Sequence, residues 1–118
     1  MYTQIWSKYL PIIKILLKRS ANGNQTLELN RIDFERAGSG RKAGYKFLIE
    51  LVAGRTVNVL SGIPLAKDLA DVLLADVGIK EILNKGNYEI GLNTRFQLSI
   101  KNVSPPAEAA VEIASEEA

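Results

Sequence analysis

Two periods of apolar and polar residues run along this chain, and the changes from one to the other mark its elements. Residues 2–19 are apolar-rich, and Gln4, Ser7, Pro11, Lys14 and Lys18 form a narrow polar stripe, spaced as on one side of a helix. Pro11 falls on that outer stripe, where it predicts a tolerated kink or the start of a second helical piece. Lys18 and Arg19 close the helix where its dipole favours cations, and Ala21-Asn22-Gly23-Asn24 ends it. The remaining helix surface holds Ile5, Trp6, Tyr9, Leu10, Ile12, Ile13, Ile15, Leu16 and Leu17. That is wider than one sheet face buries. It predicts either a helix central to the core or one that also packs on a second copy. In the second case Trp6, Tyr9 and Ile13 are the interface candidates, because aromatic side chains anchor interfaces disproportionately.

The period then drops to two. Residues 25–29 read as a short strand with Leu27 and Leu29 alternating, and Asn30 is placed to cap a short helix over 31–37. Residues 45–51 form a strand with Tyr45, Phe47, Ile49 and Leu51 on one face. Ala53-Gly54 is a tight turn into a second strand over 56–60. Pro64 opens a helix carrying Leu65, Leu69, Val72 and Leu73, and Asp76 caps a second piece with Ile79, Ile82 and Leu83. Over 88–101, Tyr88, Ile90 and Leu92 alternate, as do Phe96, Leu98 and Ile100. A turn at Asn93-Thr94 makes this a hairpin; one long bent strand is the alternative.

The order α-β-α-β-β-α-β(β), with hairpins and no regular βαβ alternation, predicts an α+β fold. Its mainly antiparallel sheet is built from hairpins and packed against the N-terminal helix and a second helix between the hairpins. Residues 1–102 form the single domain. Pro105-Pro106 introduces an acidic Ala/Glu-rich tail over 103–118, expected to be disordered for want of hydrophobic mass.

Composition narrows the chemistry. The 118 residues include no histidine and no cysteine. The usual general base, thiolate nucleophiles, disulfides and the common zinc ligand sets are therefore absent. We expect no enzyme, no cofactor and no metal site. Lys8, Lys14, Lys18 and Arg19 interrupt the N-terminal apolar run, so it reads neither as a spanning helix nor as a secretory signal, and a cytoplasmic location is expected. Asp68 and Asp71 share a helix side but lack a third ligand, which makes them a solvated face.

Charge is unevenly placed. All 15 basic residues but only nine of the 13 acidic ones lie at or before Lys101, so this part carries +6 and the remainder −4. Arg36, Arg41, Lys42, Lys46 and Arg55 surround the first hairpin and its Gly-rich leading loop, and form the candidate patch for phosphate or nucleic acid. The loop spacing, G-x-G-x-x-x-G ahead of a strand, matches no phosphate-binding fingerprint. Two function classes follow. The first is a non-enzymatic interaction module that self-associates through its apolar N-terminal helix. The second is a nucleic-acid binder whose acidic tail regulates the basic patch.

Overall fold

In the computed structural model, residues 2–37, 46–60 and 64–103 are described. The first helix, α1, spans Thr3–Arg19 and passes through Pro11 unbroken, followed by a short 3-10 turn over Ser20–Asn22. The chain continues through β1 (Gln25–Glu28), α2 (Arg31–Ala37) and the β2–β3 hairpin (Phe47–Val52 and Arg55–Leu60). Two helices follow, α3 (Pro64–Ala75) and α4 (Val77–Asn84), and then β4 (Asn87–Leu92) and β5 (Gln97–Asn102). The fold is α+β, as the pattern predicts. The Gly-rich loop with Arg41 and Lys42, and the tail beyond Val103, lie outside the described residues.

The five strands form one antiparallel sheet in the order β1-β5-β4-β2-β3. The β4–β5 pairing resolves the second hairpin in favour of a turn: Tyr88 faces Asn102 and Leu92 faces Leu98. Asn93 builds that turn by accepting from the backbone N–H groups of Arg95 and Gln97 at 2.9 and 3.0 Å. The first turn has Ala53 at φ 48° and Gly54 at φ 78°, the left-handed pair that a two-residue hairpin needs. The two helix caps predicted from the sequence are both formed. Asn30 Oδ1 accepts from the Ile32 N–H at 3.1 Å, and Asp76 Oδ1 from the Ile79 N–H at 3.0 Å.

Period two puts Phe47, Ile49, Leu51, Tyr88, Ile90, Leu92, Leu98 and Ile100 on one sheet face, where all are buried. Helices α1, α3 and α4 cover that face with Ile13, Leu17, Leu69, Leu73, Ile79 and Leu83. Of the alternate residues, which point to the other face, Glu50, Glu89, Ser99 and Lys101 remain at least partly exposed.

The wide apolar surface of α1 belongs to a central helix, which touches α2, α3, α4, β1 and β5. Its Trp6 donates from Nε1 to the Leu65 carbonyl at 3.0 Å and meets the Phe34 ring edge-on at 4.8 Å between centroids. Only Ile12 and Ile15 on this helix remain as strongly exposed large apolar residues, at 43% and 51%. Among the described residues no helix is long and apolar enough to cross a membrane.

Candidate functional site

Of the five candidates for the basic patch, three lie among the described residues. Arg36 lies exposed on α2, Lys46 exposed at the entrance to β2, and Arg55 exposed at the start of β3. Lys46 and Arg55 sit at opposite ends of the hairpin, roughly 20 Å apart at about 3.3 Å per residue, so they do not grip one phosphate. Arg41 and Lys42 fall outside the described residues.

Trp6 and Ile13 are fully buried in the core of the single chain. Tyr9 is half-buried; its ring stacks on Phe34 and its hydroxyl accepts from the Asn30 N–H at 3.3 Å. A second copy would therefore meet Ile12 and Ile15 on this helix, not Trp6 or Ile13. The periodicity could not tell these residues apart, because both pairs sit in one unbroken apolar surface. Asp68 accepts from the Tyr2 N–H at 2.9 Å and so anchors the start of α1, whereas Asp71 is exposed. Among the described residues no group of three or more acidic side chains gathers to hold a metal ion.

What the fold does bring together is a cleft of about 450 Å³ between the last turns of α1, the length of α4 and the start of β4. Lys14 and Lys18 line one side, four residues apart on one face of α1. Lys85, at the C-terminal cap of α4, lines the other, together with Glu81 one turn earlier. Leu17, Ile82 and the Tyr88 ring supply the apolar floor. From Gly78 to Lys85 the cleft follows α4 for about 10 Å at 1.5 Å per residue. The lining itself carries three lysines against one glutamate, and the Asp76 carboxylate lies beside the Lys14 ammonium at Gly78.

Two local features shape its interior. Gly78 has no β-carbon, and one placed there would collide with the Lys14 ammonium, so the glycine admits this lysine to the start of α4. Tyr88 is 6% exposed and its hydroxyl has no hydrogen-bond partner among the described residues. No fully buried polar side-chain atom among those residues lacks a partner, so this hydroxyl keeps some contact with solvent, and Tyr88 is one of the residues lining the cleft. Burial pushes its pKa above the ordinary phenol value. It therefore keeps its proton through the physiological range and can donate to an anion.

Comparison of the chain with protein-family models, curated proteins and solved structures finds no match. Lys14 and Lys18 were visible in the sequence as part of the outer stripe of α1. Their convergence with Lys85 and Tyr88 depends on how α4 packs, for which no local pattern gives a signal.

Proposed function

We propose that this chain is a binding module, not an enzyme, and that it holds a small organic phosphate in the cleft between α1 and α4. The observation that carries this reading is that Lys14, Lys18 and Lys85 line one cleft together with Tyr88. Lysine ammoniums bind phosphate as point charges. The excess of lysines over carboxylates around the cleft suits an anion. The volume falls in the range of small-ligand sites and is too small for a duplex. Leu17 and Ile82 offer an apolar surface for the organic part of the ligand.

The test is a calorimetric titration with inorganic pyrophosphate at low and physiological salt, on the wild type and on Lys14→Ala, Lys18→Ala and Lys85→Ala. Each substitution is expected to weaken binding about two- to fivefold, as for partly exposed ion pairs of roughly 0.5–1 kcal/mol. Added salt weakens it further. Equal affinity in all four proteins contradicts the reading. Tighter binding of a labelled oligonucleotide, unaffected by these substitutions, favours nucleic-acid recognition elsewhere on the chain.

Self-association through α1 is the second reading, supported by the exposure of Ile12 and Ile15. It expects a concentration-dependent oligomer in sedimentation that Ile12→Glu and Ile15→Glu together abolish. A monomer at the highest concentration counts against it.

A further inference from the structure

A second, smaller cavity of about 220 Å³ lies between α1 and the end of α3, lined by Ser7, Leu10, Val72, Ala75 and Asp76. Ser7 and Leu10 of this cavity and Lys14 and Leu17 of the larger one follow one another at steps of three and four residues, so both cavities lie along one stripe of α1. They meet at Gly78. Lys14 Cε and Asp76 Oδ1 stand 3.0 and 3.4 Å from the point where a β-carbon of Gly78 would be. The cavities are thus two parts of one groove, with the Lys14 side chain between them. From Ser7 to Lys18 the groove follows α1 for about 16 Å at 1.5 Å per residue.

Its two parts differ in chemistry. Lysines prevail in the larger, whereas Asp76 is the one charged residue lining the smaller among the described residues, set beside Leu10, Val72 and Ala75. Asp76 Oδ1 accepts from the Ile79 N–H at 3.0 Å, which fixes the carboxylate at the junction with the Lys14 ammonium nearby. A cation on an apolar stem suits this end: the carboxylate accepts from the charged group, and the apolar wall covers the stem.

We infer that the groove binds a phosphorylated amine, with its phosphate among Lys14, Lys18 and Lys85 and its protonated amine beside Asp76. This rests on the reading of the larger cavity as a phosphate site and names the class of ligand. The amine takes the place of the Lys14 ammonium next to Asp76, and Lys14, on a flexible stem, turns to the phosphate. Charges then match at both ends. From Asp76 to Ile82 the groove runs about 9 Å at 1.5 Å per residue, so a chain of several carbons must separate amine from phosphate.

The test is calorimetry on the full chain with aminohexyl phosphate, hexyl phosphate and inorganic pyrophosphate, comparing the wild type with Asp76→Asn and Ala75→Phe. Asparagine caps a helix as well as aspartate does, so Asp76→Asn removes the charge and keeps the start of α4. Ala75 is exposed, and a phenylalanine there fills the smaller cavity without touching the lysines. The wild type is expected to bind aminohexyl phosphate about two- to fivefold more tightly than hexyl phosphate, as for a partly exposed ion pair. Asp76→Asn should erase that preference without weakening pyrophosphate. Ala75→Phe should weaken both hexyl ligands and leave pyrophosphate unchanged. Equal affinity for the two hexyl ligands in the wild type, or a preference that survives Asp76→Asn, overturns the inference, while pyrophosphate binding keeps the cleft reading standing. Three unchanged affinities in Ala75→Phe overturn it as well. If none of the three ligands binds, the cleft reading fails and the inference falls with it.

Discussion

Lys14 reaches over Gly78: a β-carbon on the glycine would overlap the lysine ammonium at the first turn of α4. The obstructing atom is the end of a flexible side chain and swings away at little cost. Gly78 sits within a helix and shows no left-handed backbone. Gly78→Ala is therefore expected to raise stability by about 0.5–1 kcal/mol, the helix-propensity difference between the two residues. The same change moves Lys14 out of the cleft and weakens pyrophosphate binding. Denaturant melts and titration of this one variant read the two effects separately. A gain in stability with unchanged affinity would remove Lys14 from the site.

Tyr88→Phe keeps the buried ring and deletes only the hydroxyl. Phosphate affinity is expected to fall about three- to tenfold, as for one hydrogen bond to a charged group at a solvent-accessible site. Stability near neutral pH should barely change, since the hydroxyl has no partner among the described residues. The pH dependence has a definite sign. Burial raises the phenol pKa in the folded chain, so the unfolded chain loses this proton first. The contribution of Tyr88 to stability is constant below the ordinary value of 10.0 and declines as pH rises through it toward the raised value. Melts between pH 9 and 11 should show a shallower decline in Tyr88→Phe than in the wild type.

The first hairpin turn holds a non-glycine residue in the left-handed region, Ala53 at φ 48°. Alanine is disfavoured there by roughly 1 kcal/mol, and asparagine tolerates it better. Ala53→Asn should stabilise the chain by about 0.5–1 kcal/mol while its N–H still donates to Gly86. Gly54 is the opposite case. A β-carbon there would collide with the Asn84 side chain, and its φ of 78° already requires glycine. Gly54→Ala is expected to cost more than about 1 kcal/mol. Thermal melts of the two variants should move in opposite directions.

Trp6 anchors α1 to α3 and to the aromatic cluster of Phe34 and Phe47. Trp6→Ala should cost about 3–5 kcal/mol, as for a large aromatic removed from a packed core. Trp6→Phe should cost less and lose chiefly the indole bond to Leu65. Because Trp6 lies wholly inside the single chain, neither change should alter the oligomeric state of the folded fraction in sedimentation.

The elements were legible because each follows from neighbours in sequence: period two for the strands, Asn30 and Asp76 for the helix starts, Ala53-Gly54 and Asn93 for the turns. The central position of α1 could be read only as one of two options. Trp6 and Ile15 share an apolar surface, and only the packing of α3 and α4 decides which is buried. The cleft was less legible still. Lys14 and Lys85 stand 71 positions apart in the sequence, and Tyr88 reads as one more apolar-face residue of β4. That its hydroxyl has no hydrogen-bond partner among the described residues follows from packing, not from any local pattern.

The most direct test of the cleft is a ¹H–¹⁵N NMR titration of the full chain with inorganic pyrophosphate. The account predicts saturable shifts concentrated at Lys14, Lys18, Gly78, Lys85 and Tyr88, with the β2–β3 hairpin around Arg55 unmoved. Shifts centred on Lys46 or Arg55, or no saturable shift at millimolar pyrophosphate, would contradict it.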